Sequence, residues 1–193
     1  MAESPRPFQT INQSAMRSGL FLGGWGVAGV FLATFALAYP SLAFVTDIVL
    51  LSSPVVAWKL TDHYAKACAN VQGYFTFGAG FSFCSLMGTY AMLWILVAVA
   101  FVINDEGTGL LTTNLIAQVE TPEYRQALRE TGVLNNLDVA TKGKGFETLI
   151  ESIRSLSRID AMTLILFANL FINPIFSLFI GLLCRKDGMP KHK

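Results

Sequence analysis

The sequence predicts an all-α membrane protein: a four-transmembrane-helix bundle with an amphipathic two-helix extracytoplasmic segment between the third and fourth spans. Three observations carry that expectation. Hydrophobic residues make up 53% of the 193-residue chain and charged residues only 14%, where soluble domains carry roughly 25% charge. The few charges leave four long stretches almost untouched. Those stretches match the roughly 20 apolar residues that a helix needs to cross about 30 Å of hydrocarbon. A chain so poor in polar groups cannot cover a water-facing surface, so its apolar excess calls for lipid.

The elements follow in order. Ser18 to Tyr39 holds no charge, and Ser41 to Trp58 holds only Asp47. Ala67 to Ile103 is again uncharged, as is Ala161 to Cys184. Backbone in lipid must satisfy its own hydrogen bonds, so each stretch is read as a helix. The spans are placed at about 18–39, 41–59, 72–103 and 160–184, all in one membrane domain covering 1–193. Pro40 leaves almost no loop between the first two, which makes them an antiparallel hairpin. The third stretch is too long for one straight crossing, and Val71 to Phe77 is expected along the interface, where aromatic rings sit well. The first stretch exceeds the apolar core of a secretion signal and is expected to stay in the chain.

Basic residues orient the spans. Four crossings put both termini on one side with the connection between spans two and three. That side carries Arg6, Arg17, Lys59, Lys66, Arg185, Lys186, Lys191 and Lys193 against Glu3, Asp62 and Asp187. The segment 104–159 carries six basic and eight acidic residues. Basic flanks are retained in the cytoplasm, so both termini are expected inside and 104–159 outside.

The outer segment shows helix signals of its own. Thr121-Pro122-Glu123 reads as an N-cap, a first-turn proline and an acidic first turn, opening a helix that Gly132 ends. Asn135 to Gly145, with Lys142-Gly143-Lys144-Gly145, reads as a loop. Phe146, Leu149, Ile150, Ile153, Leu156 and Ile159 then recur at helical spacing opposite Glu147, Glu151, Arg154 and Arg158. That helix is suited to the bilayer surface, to its own bundle or to a partner. Ser157 and Asp160 have the spacing of a capping box.

The hairpin, the Gly73, Tyr74, Phe77, Gly78 and Phe81 pattern opening a long span, the amphipathic outer segment and the basic tail resemble a known family. This is the uncharacterised four-span inner-membrane family of Bacteroidetes grouped as domain-of-unknown-function family 4199. The resemblance implies a bacterial cytoplasmic membrane and the same four-helix layout. It carries over no catalytic residue. It also implies a partner role beside a membrane-associated glycosyltransferase.

Candidate site residues lie inside the spans. Asp47 is seven residues past Pro40, about 10 Å below the outer end of its helix, where a carboxylate is costly unless partnered. Helical depth groups it with Thr34 and Asn169 in one inward polar layer. Ser52, Ser53, Tyr90 and Asn173 form a second layer nearer mid-membrane. Such layers suit proton or cation handling, or equally a polar staple fixing helix register. Pro54 and Pro174 kink their spans. Gly19, Gly23, Gly26 and Ala33 share one face of the first helix, and Gly78, Ser82, Ser85 and Thr89 one face of the third. These stripes fit close helix packing within the chain, with a homodimer as the competing use.

Other chemistry lacks a signature. Cys68, Cys84 and Cys184 are isolated and read as packing residues. His63 and His192 are far apart, and Asp62-His63 reads as a solvated pair on the inner loop. No metal, phosphate-cradle or nucleophile motif is present, so no cofactor or metal is expected. The basic residues form no stripe for nucleic acid. The expected role is a non-enzymatic accessory, anchoring or regulatory subunit working in the lipid bilayer with a membrane-protein partner. A small transporter or channel using Asp47 is the alternative.

Overall fold

A computed structural model describes residues 7–103 and 109–186. Arg6, Glu3, Asp187, Lys191, His192 and Lys193, named above for charge, lie outside the described residues, as do Asn104 and the rest of 104–108. Among the described residues the regular structure is helical, with one isolated backbone bridge. The order is α1 Pro7–Ala38, a 3-10 turn Pro40–Leu42, α2 Ala43–Gln72, α3 Phe77–Val102, α4 Leu110–Val119, α5 Pro122–Glu130, α6 Val133–Thr141, α7 Gly145–Arg154 and α8 Arg158–Leu183. Four of these, α1, α2, α3 and α8, are long and apolar enough to cross a membrane. The chain divides into two compact units, one of Met1–Gly29, Asp47–Leu96 and Ile165–Lys193, the other of Val30–Thr46 and Val97–Leu164.

In the first unit the helices meet through small residues. A Cβ at Gly19 would lie 2.6 Å from the Tyr90 Cβ, and one at Gly23 would lie 2.9 Å from the Trp94 ring. Gly26 meets Ile95. These contacts advance together along both helices, so α1 and α3 run parallel. Gly80 faces Gly181, a Cβ on the former falling 3.1 Å from the Cα of the latter. Eight residues on in α3, Gly88 faces Asn173, eight residues back in α8. The α3–α8 pair is therefore antiparallel. Tyr64 of α2 stacks on Phe83 of α3 at 4.2 Å between ring centroids. The α3 segment thus touches all three other spans, and 39% of its apolar window is buried against 6–17% in the rest. The remaining apolar faces are left outward, with Phe44, Leu51, Leu164 and Phe171 each at least two-thirds exposed, as hydrocarbon rather than water permits.

Several boundaries differ from the sequence expectation. The second helix continues past residue 59 to Gln72, and the third begins at Phe77 rather than 72. The charges that seemed to end the second span sustain it beyond the apolar layer. Asp62 pairs with Lys66 one turn on at 2.6 Å and with Lys186 at 3.1 Å, so Asp62 and His63 stand on a helix and not on a loop. At 30 residues α2 is about 45 Å long, well beyond the hydrocarbon. Within Val71–Phe77 the chain leaves α2 and turns into α3. Gly73 turns the chain at φ +83°, a conformation that favours glycine. Phe75 is buried, edge-on to Tyr64, and exchanges both backbone hydrogen bonds with Lys186. Around it Val71, Gln72, Tyr74 and Thr76 are exposed.

The second unit holds four short helices where two were expected. The first, α4, was not foreseen. The stretch 135–145, expected as a loop, is largely α6, ended by left-handed Lys142 and Gly143. Its asparagines and glycines hid an apolar register in which Leu134 is buried. Helix α5 matches its predicted bounds, but the Thr121 hydroxyl donates to the Gln118 carbonyl instead of capping. Helix α7 stops at Arg154, so Leu156 and Ile159 are not on it. Ser157 caps α8 by accepting the Ile159 amide at 3.1 Å. Within this unit α7 packs on α6 and α4, and Asn114 of α4 donates to the Thr34 carbonyl at 2.9 Å.

The α3–α8 approach gives the first prediction. Gly181→Val should lower unfolding free energy in mixed micelles by about 1–3 kcal/mol, the usual cost of overpacking. Gly78→Ala, with nothing within 4 Å of its added Cβ, should change it by less than about 0.5 kcal/mol.

Candidate functional site

Hydroxyl and amide groups within a lipid-bound helix must find partners nearby, and most here use their own helix. Thr34, Thr46, Thr61 and Thr89 each donate to the carbonyl four residues back. Ser53 does the same to Val49 at 3.2 Å, and Ser52 donates to that carbonyl at 2.9 Å. Among the described residues three sets of side-chain bonds join different helices of the first unit. The Trp25 indole N–H donates to the Val49 carbonyl at 3.0 Å and the Ser52 hydroxyl at 3.2 Å. The Tyr90 hydroxyl donates to Asn12 Oδ1 at 2.8 Å.

Asn173 makes the corresponding link from α8. Its Nδ2 donates to the Ser85 carbonyl at 3.0 Å, and its Oδ1 accepts from Ser177 at 3.2 Å. The position facing it on α3 is Gly88. A Cβ on Gly88 would fall 2.8 Å from Asn173 Cγ, closer than van der Waals contact allows.

Beside Asn173 lies a cavity of about 380 Å³. All four spans contribute to it, through Gly26, Pro54, Met87 and Ile172 among others. Its polar lining is Ser53, Asn169 and Asn173. Asn169 and Asn173 are one turn apart and share a helix face. Unlike that of Asn173, the Asn169 side chain makes no hydrogen bond among the described residues. It stands about 16 Å along α8 from Arg158, which is close to mid-hydrocarbon.

Of the seven polar positions expected in two layers, the structure brings three to this cavity: Ser53, Asn169 and Asn173. Ser52 turns instead to Trp25, and Tyr90 to Asn12. Thr34 belongs to the second unit, where its hydroxyl is held by Val30. Asp47 is exposed and does not line the cavity. Because α2 begins at Ala43, Asp47 is only about 6 Å into the helix. A carboxylate that close to the helix start sits within reach of the headgroups and the positive end of the helix dipole. Of the small-residue stripes, Gly19, Gly23 and Gly26 lie against α3, Gly78 faces open space, and Ser85 offers its carbonyl to Asn173.

Sequence reasoning passed over Trp25, Asn12, Gly80 and Gly88. The eight-residue interval between Gly80 and Gly88 returns close to one helix face, and it was the available signal for the α8 contact. Nothing in the sequence pairs Tyr90 with Asn12.

Comparison with known protein families, with curated proteins and with solved structures returns no match.

Two substitutions separate the roles of these residues. Asn173→Leu should lower unfolding free energy by about 1–2 kcal/mol, since it removes two bonds and takes the acceptor from the buried Ser177 hydroxyl. Asp47→Asn should leave it within about 0.5 kcal/mol. A large loss for Asp47→Asn in the same micelle unfolding assay would mean that the carboxylate has a buried partner.

Proposed function

We propose that the chain is a non-enzymatic accessory subunit of a bacterial cytoplasmic-membrane complex, which it anchors or regulates. In this reading its four spans form one bundle with both termini inside. The observation that carries the proposal is the unit containing residues 97–164. A connection between two spans needs only a few residues, yet this one folds into α4 to α7. Gly132 and Lys142 turn its helices in left-handed conformations, Leu134 and Val119 are buried, and Arg125 stacks on the Phe146 ring at 4.0 Å.

Such a body offers an ordered surface, and α5 buries none of its residues. All of its residues but Leu128 are exposed, Tyr124 and Arg129 among them, and tyrosine and arginine are the residue types that most often anchor interfaces. The resemblance through Gly73 to Phe81 suggests what that partner is, a membrane glycosyltransferase.

A second reading, a small transporter or channel, draws support from the cavity. It was first attached to Asp47, which lies elsewhere. Proteoliposome flux that vanished in Asp47→Ala would restore that residue and displace the accessory reading.

The test of the proposal is extraction in mild detergent at native abundance. A stoichiometric partner should copurify, and Tyr124→Ala with Arg129→Glu should cut its recovery at least tenfold while the spans stay folded. A lone species in both samples would end the accessory reading. Topology is checked alongside. Cysteine at Lys142 should react with a membrane-impermeant maleimide in intact cells, and cysteine at Lys66 only after lysis.

A further inference from the structure

We propose that the cavity beside Asn169 binds a neutral ring compound bearing a carbonyl, of the isoprenoid-quinone class, taken up from the bilayer. The inference does not depend on the partner role above. It starts from the way in. Ile172 and Phe176 line the cavity yet are 51% and 44% exposed, so its rim faces the surroundings of the spans. In a membrane those surroundings are lipid, and a ligand would enter sideways. The volume of about 380 Å³ falls in the lower part of the range for small-molecule sites, roughly 300–1,000 Å³.

The polar chemistry narrows the class. Asn169 has an amide donor and an acceptor without partners among the described residues, at mid-hydrocarbon depth. An unpaired amide in an apolar layer is costly, and no bulk water is there to relieve it. A phospholipid tail cannot relieve it either. Lipid ester groups stay in the interfacial region, about 15 Å from the midplane, and the tail has no polar atom. The fitting ligand is uncharged, so that its polar group can reach the midplane. It carries a carbonyl to accept from Asn169 Nδ2, or a hydroxyl to donate to Oδ1.

The walls favour a ring around that group. Met87, Met92 and Phe176 line the same space. Thioether sulfur and aromatic edges both make favourable contacts with a flat ring. Quinones and quinols combine a ring, carbonyl or hydroxyl groups, an apolar tail and solubility at the midplane. Binding alone is proposed, with no electron transfer.

Decylubiquinone provides the probe, with the full chain in lipid nanodiscs and empty discs as the baseline. Saturable quenching of tryptophan emission is expected. Asn169→Leu should weaken binding about five- to tenfold, and Asn169→Gln, which keeps the amide, should recover most of it. Decylcyclohexane, which keeps ring and tail but has no carbonyl, should fail to compete. The proposal is overturned if the native chain shows no saturable binding, if Asn169→Leu binds as well as the native chain, or if decylcyclohexane competes equally. The competition arm uses the native chain, so it decides even if the variants misfold.

Discussion

Hydrocarbon accepts no hydrogen bonds, and the first unit is organised around that fact. A helix settles its backbone internally, but it can approach another helix only where side chains are small or polar groups are matched. α3 meets both conditions toward α1 and α8. Gly19 and Gly23 let it close on α1, and Gly80 lets it close on α8. Its Tyr90 hydroxyl and Ser85 carbonyl take partners from those same helices. Glycine supplies proximity in this arrangement, and the hydrogen bonds supply register. A hydrogen bond in such a layer contributes only about 0.6–2 kcal/mol, so no single one holds the spans together. Together they reward one sliding position over others, which uniform apolar packing would not.

That division explains what could be read from the sequence. Four spans were legible because length without charge is a one-dimensional property, and so was the short hairpin at Pro40. The end of α2 was not legible, because the residues from Lys59 to Lys66 look like a loop on a hydropathy scale and like a good helix in their side-chain spacing. The Asp62–Lys66 pair is visible only under the second description. The helices after α3 were half legible for a similar reason. α5 has a proline, an acidic first turn and a following glycine, whereas α6 begins and ends in left-handed turns and carries asparagines that favour loops.

The polar residues divide along the same line. Depth along a helix can be counted, and it placed Ser53, Asn169 and Asn173 in neighbouring layers, where they line one cavity. Rotation about the helix axis is harder to count over a long span, because each residue advances 100° and a small error in the starting point changes the face. Ser52 and Ser53 are adjacent, yet one meets Trp25 and the other the cavity. Asp47 drew attention because it is the one charge in its span. Charge at the end of a span is tolerated, however, and the position of Ala43 as the first residue of α2 puts Asp47 near that end. In a membrane helix an unpaired neutral amide at mid-depth can be the more informative residue.

The cavity shows why. In a soluble core an unfilled space costs stability roughly in proportion to its volume, and evolution fills it with larger side chains. A cleft open to lipid costs far less, since acyl tails can occupy it and the apolar surface never meets water. The small residues along its walls, Gly26, Ala57 and Ala91 among them, therefore need no special compensation. Lipid tails repair every part of the cleft except one. They offer nothing to Asn169, whereas Asn173, one turn away, is fully engaged with Ser85 and Ser177. Two asparagines with the same chemistry, at nearly the same depth and on the same face, thus differ in whether the protein itself satisfies them. Leucine at position 169 would pack equally well against tails and remove the penalty. The amide gains a partner when the cleft holds a polar group that tails lack.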